Sequence, residues 1–78
     1  MHRQTVSDAP LGQPLTVAAV AADPRVIRRL AELGVRPGAK VAVLRRTAGG
    51  GRILNVADAR VALDAATARV IELSGSAA

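Results

Sequence analysis

The chain has no cysteine, phenylalanine, tryptophan or tyrosine, and its single histidine, His2, stands next to Met1. Without cysteine there can be no disulfide, thiolate metal site or thiol nucleophile. Without aromatic rings there is no platform for stacking nucleic-acid bases and no aromatic groove of the kind that receives proline-rich peptides. Lacking an internal imidazole, thiol or phenol, the chain has almost no group that can serve as a poised acid, base or nucleophile, and no enzymatic role is expected. The acidic residues are few and scattered, at positions 8, 23, 32, 58, 64 and 72. They form no cluster at ligand spacing, so neither a metal centre nor a cofactor is expected. No apolar run approaches the roughly 20 residues of a membrane-spanning helix, and residues 1–15 lack the apolar core of a signal peptide. A cytoplasmic protein is the expectation.

What the chain does contain is aliphatic. Half of its 78 residues are hydrophobic, and a core must be assembled from Val, Leu, Ile and Ala alone. Each larger aliphatic side chain contributes about 1.5–3 kcal/mol when buried, so matching apolar faces matters more than any single anchor. The length allows one domain. Eleven Lys and Arg against six Asp and Glu give a formal charge of +5, which favours acidic protein surfaces, nucleic acid or anionic lipid as partners.

Turn residues punctuate the start: Ser7, Asp8, Pro10, Gly12 and Pro14. Val6, Ala9 and Leu11 suit a short helical turn folded back onto the core, with residues 1–5 flexible. A strand is expected over 15–20, with a bulge or early end where Val20 breaks the alternation of Leu15, Val17 and Ala19. Asp23-Pro24 starts a helix over 24–33, because the carboxylate accepts a free backbone N–H and proline needs no partner there. Val26, Ile27, Leu30, Ala31 and Leu33 fall on one side of it, and Arg25, Arg28, Arg29 and Glu32 on the other. Gly34 suits the left-handed position that ends a helix, and Pro37-Gly38 the centre of a type II turn. Strands follow at 40–47, 52–57 and 60–63. The Gly49–Gly51 run between two of them reads as a flexible turn and not a phosphate loop, since no helix follows it. With Asp58 and Ala59 as a two-residue loop, Val56 lies opposite Val61 and Leu54 opposite Leu63, all on one face. A helical turn capped by Asp64 covers 65–69, a last strand 70–73, and 74–78 reads as a flexible tail.

Short strands with one inserted helix suggest a small barrel. The string RLAELGVRPGAKVAVLRR, residues 29–46, resembles the signature of the FeoA family of ferrous iron transport proteins. Upstream, Val6, Gly12, Leu15, Val17 and Val20 match its opening turn and first strand; downstream, VADARVAL at 56–63 and then Ala68, Val70 and Ile71 resemble its hairpin and final strand. The family carries glycine in the hairpin turn where this chain has Asp58, and a loop proline that is missing around 49–51. The resemblance implies a mainly β fold, a five-stranded SH3-like barrel over residues 6–73 with one inserted α-helix and short helical turns. The same module is similar to the C-terminal domain of DtxR-type iron-dependent repressors.

The resemblance also implies an accessory role in bacterial ferrous iron uptake, with the cytoplasmic GTP-binding domain of the FeoB-type permease as partner. The candidate docking face is Arg25, Arg28, Arg29 and Glu32 on the helix, continued by Arg36 and Pro37 at the turn, because arginine makes forked bonds to carboxylates. The plainer reading is that these charges solvate a helix. Leu30, Leu33, Val35 and Pro37 read as core packing more readily than as an apolar groove. The rival class is a basic small-barrel nucleic-acid-binding protein, favoured by charge and opposed by the missing aromatics. The oligomeric state stays open.

Overall fold

The N-terminal turn shows how little sequence this chain needs to place an element. Thr5 Oγ1 accepts the Ser7 N–H at 3.2 Å and Asp8 Oδ1 accepts the Thr5 N–H at 2.8 Å, a capping box that closes the 3-10 turn Val6–Asp8. Val6 and Ala9 are thereby buried. The computed structural model describes residues 4–74. Its strands are β1 (Leu15–Val20), β2 (Lys40–Arg46), β3 (Arg52–Val56), β4 (Ala59–Leu63) and β5 (Ile71–Ser74), with helices α1 (Pro24–Glu32) and α2 (Ala65–Val70) inserted before β2 and β5.

The strands form one antiparallel five-stranded sheet in the order β4-β3-β2-β1-β5. Register shifts break β1 between Val17 and Ala19 and β2 between Val43 and Arg45. Such bulges bend strands, so the sheet curls and its inward residues meet: Leu15 and Val17, Val41 and Val43, Leu54 and Val56, Val61 and Leu63, Ile71 and Leu73 are all buried. No polar or charged residue among those described is buried with them. The mainly β, five-stranded architecture expected from the sequence is present, but the first bulge falls between Val17 and Ala19, ahead of Val20, which stays paired with Ile71.

Several expectations are corrected. The β3–β4 loop is Ala57-Asp58, so Val56 pairs with Ala59, Leu54 with Val61 and Arg52 with Leu63. Positive φ falls on Ala57, at 54°, and not on Asp58. The shift is two residues, which leaves every side chain on its expected face. Gln4 and Thr5 are not loose: Thr5 bridges to Glu72, and the Gln4 carbonyl accepts the Leu73 N–H at 2.8 Å. Ser74 belongs to β5, opposite Thr16; the remainder of the expected flexible ends, 1–3 and 75–78, lies outside the described residues. Leu11 is 46% exposed, since the Leu11–Val43 bridge holds it by backbone rather than by burial.

The glycine connection is an ordered turn. The Thr47 N–H donates to Gly51 O at 3.0 Å, and Arg52 Nη1 donates to the carbonyls of Gly50 and Gly51 at 2.7 and 2.9 Å. Arg52 Nη2 reaches Ser7 O at 2.6 Å, tying the N-terminal turn to this loop. A Cβ on Gly51 would stand 2.5 Å from Thr47 Oγ1 and 2.7 Å from the Leu63 carbonyl. Close approach, not flexibility, requires glycine there.

Candidate docking surface

The helix that carries the candidate arginines is fixed at both ends. Asp23 Oδ1 accepts the Val26 N–H at 3.0 Å, with Pro24 in the first turn. At the other end the Gly34 N–H donates to Ala31 O and the Val35 N–H to Leu30 O, at 3.0 and 2.8 Å, a Schellman closure with Gly34 at φ +95°. Leu30 and Val35, brought together by that closure, are both buried. Burial along α1 is narrower than its periodicity suggests. Leu30 is its one buried residue among those described, Val26 and Ala31 are half-buried, and Ile27 and Leu33 are 36% and 47% exposed.

Arg25, Arg28, Arg29 and Glu32 are exposed and occupy roughly 100° of helix arc at 3.6 residues per turn. Their side chains make no hydrogen bond or ion pair with another described residue. Arg25 and Arg28 flank a shallow depression with Asp23 and Pro24.

Arg36 and Pro37 belong to a different feature. The Ala39 N–H donates to Arg36 O at 2.9 Å, and Gly38 has φ +93°, as the type II turn requires. This turn is stitched to β1: Gly38 N–H to Val17 O and Val17 N–H to Ala39 O, both 2.8 Å. Together with Pro14 and the Ala57 end of the hairpin, it bounds an open groove of about 760 Å³. Lys40, Ala42 and Asn55 also line it. The six candidate residues therefore divide between a convex helix face and a concave groove. Periodicity missed Lys40 and Asn55, although both stand at outward positions of strands, where alternation alone identifies exposed side chains.

Elsewhere, Asp64 caps α2, accepting the Thr67 N–H at 2.8 Å. Its carboxyl is held below the ordinary range by the Thr67 side-chain hydrogen bond and then by the backbone one. Among the described residues no group of three or more His, Cys, Asp or Glu is placed to hold a metal ion. No helix among them is long and apolar enough to cross a membrane.

A curled five-stranded antiparallel sheet, an inserted helix after β1 and a short helix before β5 define an SH3-like domain. A family model for the FeoA domain matches residues 4–74. The chain belongs to the FeoA family, whose members are proposed ferrous iron transport accessory factors. No curated protein matches it by sequence. Among solved structures it is similar to the FeoA protein from Chlorobium tepidum, at 32% identity and a TM-score of 0.82, covering 90% of this chain and 68% of that one. It is also similar to Stenotrophomonas maltophilia FeoA, solved with zinc and described as a prokaryotic SH3 domain protein and candidate ferrous iron transport activating factor. That match has 29% identity and a TM-score of 0.76 over 91% of this chain and 89% of that one. A manganese-dependent transcriptional repressor shares the fold at 26% identity and a TM-score of 0.82, but only 41% of that chain is covered, against 94% of this one.

Proposed function

We propose that this chain is a non-catalytic accessory protein of bacterial ferrous iron uptake, acting in the cytoplasm by docking on the GTP-binding domain of a FeoB-type permease. Arg25, Arg28 and Arg29 of α1 provide the principal contact, with Glu32 setting register and Arg36 and Pro37 extending the face. One observation carries the reading: three arginines without a partner among the described residues stand on a helix whose other side is only thinly buried. Charge invested in an element that contributes little to the core is available for an acidic surface, where guanidinium groups give forked, oriented bonds.

The test is calorimetric titration of the full chain into the isolated cytosolic domain of the permease at several salt concentrations. Binding that weakens with salt is expected, because exposed charge pairs are screened. Absence of binding, together with salt-dependent retention on nucleic acid, would replace this reading by the basic-barrel one suggested by the net charge of +5.

A further inference from the structure

The groove beside the type II turn has a chemistry of its own. Its wall is the outer face of β2 and β3, where Ala42 stands across from Asn55. Arg60 is opposite Asn55 on β4, and directly paired residues of antiparallel strands share a face. Arg36 and Lys40 line the groove over a floor of small side chains, and Arg60 stands outside the lining, next to Asn55 on the same sheet face. All three cations and Asn55 are exposed, and their side chains engage no other described residue. The nearby acid is Asp58, at the hairpin tip, which like Arg60 is outside the groove's lining.

We infer that this groove binds an extended acidic peptide segment of a partner protein, its carboxylates paired with Arg36, Lys40 and Arg60 and its backbone met by the Asn55 amide. Charge complementarity selects the occupant. A nucleic-acid strand offers the same sign of charge but needs a stacking surface for its bases, and the chain has no aromatic residue. The low floor of Ala39, Ala42 and Ala57 accommodates an extended backbone, whose side chains on one face can reach Arg36 and Lys40 and, past Asn55, Arg60. The cations are held in place: Arg36 and Lys40 by the backbone bonds between Gly38, Ala39 and Val17, Arg60 by the β3–β4 ladder. With Arg36 and Pro37 at the junction, the module would engage a folded domain through α1 and a chain segment through the groove.

The inference takes only the acidity of the partner from the docking reading, and its test is independent of the permease. The probe is a fluorescein-labelled peptide of alternating Glu and Ala, about eight residues long, whose extended form sets the carboxylates on one face. Fluorescence anisotropy of the full chain with this probe, with an alternating Lys-Ala peptide and with oligothymidine is measured as salt rises. The acidic peptide should bind at low salt, the basic one should not, and Lys40→Glu with Arg60→Glu should weaken binding by about tenfold or more. Arg28→Glu with Arg29→Glu should change it by less than about twofold. Amide shifts on peptide addition should concentrate at 36–42 and 55–60. Lys40→Met with Arg60→Met, which remove charge without reversing it, should weaken binding too and cover the case in which the reversed variant does not fold. Equal binding by these variants, shifts centred on α1, tighter binding of oligothymidine, or no peptide binding at all would overturn the assignment. A chain that binds the permease domain but not the peptide ends the groove inference and leaves docking through α1 standing.

Discussion

The two helices of this chain are set into the fold in opposite ways. α2 has six residues and buries one of them, Ala68, but it packs closely beside the N-terminal 3-10 turn and β5. α1 has nine residues and also buries one, Leu30, while two large apolar side chains, Ile27 on the helix and Leu33 at its C-cap, are exposed. Length does not predict how closely a helix packs against its neighbours here. The short helix is a structural wedge, and the long one is a platform tethered by a single leucine and a glycine closure. A small aliphatic barrel can carry such a platform because its stability comes from the sheet and from the corner where Gly51, Arg52 and the N-terminal turn meet.

The largest effect that would sharpen this contrast lies at the corner. Gly51→Ala forces a Cβ against the Leu63 carbonyl and Thr47 Oγ1, and we expect a loss of about 3 kcal/mol, the upper end of ordinary overpacking. Chemical denaturation would register it as a lowered midpoint at unchanged slope. Next comes the tether. Leu30→Ala should cost about 2–3 kcal/mol, whereas Leu33→Ala at the helix's C-cap should cost less than about 1 kcal/mol. Equal losses at the two sites would mean that α1 is not tethered by Leu30 alone. Arginines divide likewise. Arg52→Met breaks three bonds to carbonyls and should cost about 1–2 kcal/mol, while Arg29→Met should remain within about 0.5 kcal/mol by the same denaturation assay.

The smallest expected effect concerns acid. The Asp64 carboxyl is lowered in the folded chain, first by the Thr67 side-chain hydrogen bond. Its contribution is complete above the unfolded-state pKa and disappears as pH falls through the folded value. Melting curves across the acid range should therefore show a shallower decline for Asp64→Ala than for the parent chain. Identical slopes would mean that the cap at α2 carries no pH dependence.

What the sequence reveals depends on whether a residue's type announces its backbone. Asp23-Pro24, Gly34 and Pro37-Gly38 each encode one conformation, and the helix start, helix stop and type II turn stand where those residues place them. Ala57 encodes nothing of the kind. Its left-handed φ of 54° is held by the strands on either side, which is why the hairpin loop falls one position earlier than Asp58-Ala59. Alternation could not reveal that displacement, because moving the pairing by two residues returns every side chain to the same face. Gly51 was hidden for a related reason: a glycine run reads as loose, and only the approach of Leu63 and Thr47 in space makes one member obligatory. The arginines of α1 were legible from helical period. The groove was not, because its lining comes from separate segments that only the fold brings together.

The central claim is that the outward cations of this domain are spare to the fold and committed to a partner. Affinity for the permease's cytosolic domain, measured for Arg28→Glu, Arg29→Glu and Arg36→Glu combined and read beside the melting temperature of the same variant, addresses both halves at once. The account predicts binding weakened by about tenfold or more with melting shifted by no more than about 4 °C. Undiminished affinity in the folded variant, or collapse of the fold on reversing those charges, would contradict it.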